Sequence, residues 1–235
     1  MNKHRIRLWD LPTRLFHWFL AVLVGAAIVS GEIGGNLIDW HSRFGIAIAG
    51  LVAFRLVWGL VGSYTARFSS FVRGPAAIRA YLRGEWHGIG HNPLGALSVL
   101  GLLALLALQV GTGLFANDDI SFQGPLAALI SKDLSDTLHK AHEISLNILL
   151  LVLGLHIAAI VFYARVKGEN LLLPMLTGKK TVEKTSANVP QNSGGHWPAL
   201  LLALAIAAAV SFVASGAWIA QSPLPSPEKA AVPTW

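Results

Sequence analysis

His142-Glu143-Ile144-Ser145-Leu146-Asn147-Ile148-Leu149-Leu150-Leu151-Val152-Leu153-Gly154-Leu155-His156 is a strongly apolar run bounded by two histidines. On a helix their 14-residue separation is roughly 21 Å of axial rise. At about 100° per residue their directions differ by about 40°, so both occupy one face. A hydrocarbon core is about 30 Å thick, which puts one histidine towards each side of it. Ionisable groups at such depths are costly and mark functional positions. A neutral imidazole is also a ligand of haem iron. The spacing therefore predicts a helix that gives one axial ligand to each of two stacked haems. The competing reading is interhelical hydrogen bonding or proton relay, and for one isolated histidine it would be preferred.

The chain of 235 residues is 54% hydrophobic and only 13% charged, with a mean hydropathy of +0.56. Such values describe a polytopic membrane protein rather than a soluble core. The net charge of +6 is gathered in particular loops and does not imply nucleic-acid binding. There is no cysteine, which excludes disulfides, thiolate-held iron–sulfur clusters and covalent c-type haem. Any haem here is held non-covalently.

Hydropathy predicts spans at about 15–30, 44–61, 94–115, 141–163 and 197–220. The basic start and first apolar run resemble a signal peptide. His17 and Trp18 inside the run, and the lack of an A-x-A-like site after it, favour a retained span. Residues 31–43 read as a short loop, 62–93 as a long polar stretch, and 116–140 as an acidic loop. The expected organisation is an all-α membrane protein. A four-helix bundle (1–180) is followed by a linker (181–196), a fifth transmembrane helix (197–220) and a disordered tail (221–235). Lys and Arg concentrate at the N-terminus, in 62–93 and after the fourth span, on one side of this topology. The positive-inside rule makes that side cytoplasmic, with the C-terminus periplasmic, in a bacterial inner membrane.

Topology and depth then pair His17 with His156, and His41 with His142. His139 lies about 100° around the helix from His156 and is expected to face away from the seam. Gly45 lies one turn after His41, Gly111 and Gly113 interrupt the third span, and Gly154 is close to His156. These glycines suit either porphyrin clearance or ordinary close helix packing. Arg14, Arg43 and Arg55 are candidates to pair with haem propionates, Arg55 foremost. Positive-inside anchoring explains the same arginines without a ligand. His91, Asn92 and Gln109 are candidate quinone contacts, although Asn92-Pro93 also reads simply as a helix start. The tryptophans Trp9, Trp18, Trp40, Trp58, Trp86 and Trp197 fit an aromatic belt.

Trp9-Asp-Leu-Pro-Thr-Arg-Leu-Phe-His17-Trp18, His41 with Gly45, Phe54-Arg55-Leu-Val-Trp58-Gly59, Gly90-His-Asn-Pro-Leu-Gly95, and His142-Glu143 followed by His156 resemble the bacterial cytochrome b561 family. That family includes the b-type cytochrome subunits of nickel–iron hydrogenases. The resemblance covers about residues 5–180. It implies a four-helix bundle with two haems b that passes electrons across the membrane. It also implies axial ligation by His17, His41, His142 and His156.

Three classes of function follow. The first is an electron-transfer subunit between a redox partner (a hydrogenase, another dehydrogenase or a c-type cytochrome) and quinone or a further partner. The second is a self-contained quinone-linked oxidoreductase, such as a superoxide oxidase. The third is a haem-free transporter or scaffold. The first is preferred, because no catalytic constellation beyond the histidines appears in the chain.

Overall fold

The computed structural model describes residues 3–86, 88, 90–120, 122–183 and 194–219. A short strand β1 (Lys3–Arg7) leads into α1 (Leu11–Ile33). Asp10 caps α1 by accepting from the Thr13 amide at 2.7 Å, and Pro12 fits the first turn. Gly34, at φ 64°, stops the helix where most residues would be strained. One tight turn later α2 (Ile38–Val61) returns through the bundle. The short helices α3 (Phe68–Phe71) and α4 (Pro75–Leu82) follow. Asn92 caps α5 (Pro93–Gly113) through the Gly95 amide at 2.7 Å. The long helix α6 (Lys132–Arg165), the short α7 (Leu172–Thr177), strand β2 (Lys179–Glu183) and α8 (Trp197–Ala214) complete the order.

Five helices are long and apolar enough to cross a membrane: α1, α2, α5, α6 and α8. At most 44% of any spanning window is buried within the protein itself. Large apolar side chains such as Val22, Leu60, Leu151 and Leu155 stand exposed, as lipid contact requires. The chain is an all-α, multi-pass membrane protein.

The helices differ from the spans expected from hydropathy mainly at their ends. Helix α1 starts at Leu11, and α2 starts at Ile38, so His41 and Arg43 are helical rather than in a loop. Helix α6 starts at Lys132, inside the stretch read as an acidic loop. Hydropathy marks only the hydrocarbon-matched stretch. The helix runs on through polar residues that support it, such as Lys132 and Asp136 at 3.1 Å. At 34 residues α6 is roughly 51 Å long, well beyond the bilayer core of about 30 Å. Helix α8 ends at Ala214, short of residue 220. The expected tail lies outside the described residues, as does most of the expected linker.

The strands have no counterpart in the sequence expectation, and neither do the short helices α3, α4 and α7. Strands β1 and β2 pair antiparallel, from Lys3↔Glu183 to Arg7↔Lys179. Both are short and charged, without the alternation that marks a strand. The pair ties the N-terminus to the segment after α6, helped by Leu8 N donating to the Gly178 carbonyl at 2.8 Å. Arg14 adds to the tie by donating to the carbonyls of Met175 and Leu176 on α7.

Helix α2 is the hub, packed against α1, α5 and α8, while α6 packs on α5. One core cluster gathers Phe16, Phe54, Trp58, Leu103 and Ala203 near the amino-terminal end of the bundle. A second, with Val24, Ala27, Ile48, Val52, Leu106 and Leu149, lies towards the end holding the α1–α2 turn. Helix α8 approaches α2 closely because Gly50 has no side chain. A Cβ there would meet Ser211 Oγ and would lie 3.2 Å from the Ala207 carbonyl. We expect Gly50→Leu to lower the thermal midpoint by the equivalent of about 1–3 kcal/mol through overpacking. The same change in a chain ending at residue 183 should lose most of that effect. Equal destabilisation in both chains would show that α8 is not what Gly50 accommodates.

Candidate functional site

The helices bring the four histidines together as two pairs, one towards each end of the bundle. At the α1–α2 turn end, His41 on α2 and His142 on α6 line one cavity of about 310 Å³. Their ring centroids are 6.0 Å apart and the rings are nearly perpendicular. His41 Nδ1 lies 2.8 Å from the Ala27 carbonyl on α1. His142 Nδ1 lies 2.8 Å from the Gln109 carbonyl on α5. A carbonyl only accepts, so both imidazoles carry their proton on Nδ1 and leave Nε2 unprotonated, as an acceptor. The Gln109 amide N–H donates to His142 Nε2 at 3.1 Å, and Gln109 Oε1 accepts from Ser145 Oγ. The amide orientation thus agrees with the same tautomer.

Both carbonyls are already helix acceptors, and each is reached for the same reason. Gly31 stands four residues after Ala27, and Gly113 stands four residues after Gln109. In a helix the side chain at that position crowds the carbonyl one turn back. A Cβ on Gly31 would lie 2.8 Å from His41 Nδ1, and one on Gly113 would lie 2.7 Å from His142 Cε1. Each glycine is therefore the opening through which an imidazole docks on the neighbouring helix. Gly45 lines the same cavity, and a Cβ there would meet nothing within 4 Å. Sequence alone marks Gly113 and Gly45 but not Gly31, and it offers Gln109 as a candidate quinone contact. Gln109 instead belongs to His142, and it is roughly 24 Å of helix rise from Pro93, the first residue of α5 after His91.

His139 does not turn away from this site as expected. It lines the same cavity, with Nε2 3.6 Å from Glu143 Oε1. His139 is one turn before His142, about 60° around α6, and that offset decides its position at the rim.

At the opposite, amino-terminal end, His17 on α1 and His156 on α6 are electrostatic neighbours. His17 Nδ1 is buried without a hydrogen-bond partner. His156 Nδ1 is 3.5 Å from Ser98 Oγ on α5. At the same end of the bundle Arg55 is 3% exposed, its guanidinium 4.8 Å from the centre of the Phe68 ring. His91 is stacked between Trp9 and Phe71, at 4.6 Å from each ring. Burial, and next the charge of Arg55, pull the His91 pKa down to about 4, so its ring is neutral near pH 7.

Other candidates have different partners. Arg14 is held by the α7 carbonyls. Arg43 lies over the Trp40 ring at 4.9 Å. Asn92 caps α5 and donates to the Tyr163 hydroxyl at 2.7 Å, so its amide is committed at both atoms. Cβ atoms on Gly111 and Gly154 would meet nothing within 4 Å, so neither marks a tight helix contact.

Among the described residues no three His, Cys, Asp or Glu side chains are arranged to hold a bare metal ion. The histidine pairs offer two nitrogens each, the number that porphyrin-bound iron leaves open. The donor set and the Nδ1–carbonyl bonds fit an iron porphyrin.

We expect Gly31→Ala and Gly113→Ala to lower the thermal midpoint by displacing the two rings. Gly25→Ala and Gly111→Ala, where a Cβ meets nothing within 4 Å, should raise it by the equivalent of up to about 1 kcal/mol. The same sign at all four positions would refute the docking role of Gly31 and Gly113.

One protein family, described as prokaryotic cytochrome b561, matches residues 8–178 of the chain. No curated protein and no solved structure matches it.

Proposed function

The chain belongs to the prokaryotic cytochrome b561 family, and on that premise we propose that it is a dihaem electron-transfer protein of a bacterial inner membrane. Members of the family are membrane cytochromes that bind haem b and transfer electrons. In this reading His41 and His142 hold one haem b, and His17 and His156 hold the second. The observation that carries it is the paired Nδ1–carbonyl hydrogen bonding of His41 and His142 across one cavity. That bonding fixes tautomer and ring direction before any ligand arrives and raises the basicity of each Nε2. When bound, each haem supplies a one-electron iron couple. With two imidazoles available to each iron, these residues would favour electron transfer over oxygen chemistry. Gly45 leaves room beside His41, and Arg55 supplies a buried cation for a propionate. Arg14, engaged by α7, is left out of the cofactor set.

Basic residues at the start of the chain, in the α2–α5 segment and after α6 orient the amino-terminal end towards the cytoplasm. The His41–His142 end then faces the periplasm. Residues 8–178 form the cytochrome unit, and α8 is an addition outside the matched region. The role of an electron-transfer subunit is preferred to that of a self-contained superoxide oxidase. Glu32, Asp118 and Glu143 line the periplasmic cavity, and carboxylates at its mouth disfavour a small anion. They suit a basic redox partner, such as a c-type cytochrome or a basic face of a hydrogenase or dehydrogenase. A quinone or a second protein exchanges electrons at the other end.

A reduced-minus-oxidised spectrum with pyridine-haemochrome quantitation tests this reading. We expect two haems b per purified chain, one in His142→Ala and one in His17→Ala. A well-folded chain without haem, expressed with ample haem supply, would overturn it.

A further inference from the structure

Among the described residues, the buried polar groups left without hydrogen-bond partners are not evenly spread. Thr13 Oγ1, His17 Nδ1, Arg55 Nη1 and His91 Nδ1 all belong to the amino-terminal end. At the other end both imidazoles are satisfied through Nδ1. Arg55 and His91 are the informative members of this group. Arg55 is almost wholly buried, yet one guanidinium nitrogen donates to nothing. His91 is fixed between two aromatic rings, and its buried Nδ1 has no partner. The two groups are close enough to interact electrostatically.

Asp10 is the acid that acts on Arg55, but its carboxylate is already committed. Oδ1 accepts from the Thr13 amide, and Oδ2 accepts from Trp58 Nε1 at 3.0 Å and from Ser63 Oγ. No ion pair joins Asp10 to Arg55 among the described residues. A full positive charge and an imidazole are thus buried within electrostatic reach of each other, each with an unused nitrogen. Buried donors of this kind are completed by a partner in nearly every stable protein. A water satisfies a hydrogen bond but not the charge. A carboxylate does both, because one oxygen takes the guanidinium and the other a neutral N–H.

The site is level with the His17 pair. Phe54, next to Arg55, stacks on Phe16, next to His17, at 6.4 Å between ring centres. Arg55 also lies 14 residues after His41 on α2, which returns it to nearly the same face. We propose that Arg55 and His91 together bind one carboxylate that the chain does not supply, a propionate of the haem held by His17 and His156. This rests on the dihaem reading above and assigns His91 to the haem rather than to quinone.

The test is a spectroscopic redox titration of the purified holoprotein and of its Arg55→Lys, Arg55→Gln, His91→Gln and His91→Phe variants. Resonance Raman spectra of the propionate bending region accompany each titration. Losing Arg55 exposes the propionate charge to the iron and favours the ferric form. We expect Arg55→Gln to shift the ferric/ferrous equilibrium of one haem about tenfold, ~59 mV for one electron. The other haem should not move. His91→Phe should shift the same haem in the same direction, by less, and should alter its propionate band. Arg55→Lys and His91→Gln should retain most of the wild-type behaviour. The Arg55→Gln/His91→Phe double variant should shift less than the sum of the singles, because both residues bind one group. If Arg55→Gln fails to fold, Arg55→Lys and the two His91 variants carry the test. Unchanged potentials and an unchanged propionate band in His91→Phe would overturn the proposal. So would slower quinone reduction with unaltered haem properties, which would return His91 to a quinone site. Two haems retained in His17→Ala would instead overturn the ligand pairing beneath it.

Discussion

An imidazole hydrogen-bonded to a main-chain carbonyl of a neighbouring helix is the contact on which this structure turns. A helical carbonyl has two lone pairs but is normally shielded by the side chain one turn ahead. Glycine at that position removes the shield. The chain uses this device twice, at Ala27 with Gly31 for His41 and at Gln109 with Gly113 for His142. Each contact links two helices and fixes one tautomer. Together they leave both Nε2 atoms unprotonated on residues that line one cavity, and Gln109 donates to that of His142, inside a region where an unsatisfied polar group is costly.

The two ends of the bundle are built on different principles. The imidazoles at the α1–α2 turn end are hydrogen-bonded through Nδ1, and carboxylates are among the residues lining their cavity. The amino-terminal end is basic, with Arg55 nearly fully buried and several nitrogens unpartnered. Asp10 holds that end together: it caps α1 and binds Trp58 and Ser63 at the end of α2. Because its oxygens are taken, the charge on Arg55 remains available. Electron transfer along a bundle benefits from such asymmetry, since the local field biases the potential of each centre.

Helix α8 lies beyond the region matched by the family, yet it is no loose appendage. It seats on Gly50 of the hub helix and buries Ala203 completely. Before it, Gly194 bridges to Ser63, and a Cβ on Gly195 would lie 3.0 Å from the Trp58 ring. Its approach therefore touches the same Trp58 that binds Asp10. The added helix braces the amino-terminal end from outside while leaving the α1–α5–α6 side of the bundle uncovered.

The five apolar spans, the positive charge bias and the helical phase of His142 and His156 were legible in the chain itself. All are properties of one segment at a time: hydropathy, loop composition and 100° periodicity. The roles of Gly31 and Gln109, the engagement of Arg14 by α7 and of Asn92 by Tyr163, the position of His139, the β1–β2 pair and the electrostatic coupling of Arg55 to His91 were not. Each depends on which helices are neighbours and at what register they pack. A glycine spaced four residues from a carbonyl is ordinary until a histidine on another helix arrives opposite it. Local periodicity thus determined which residues face the seams, and only tertiary packing decided which of them find a partner there and which are left with an unused hydrogen bond.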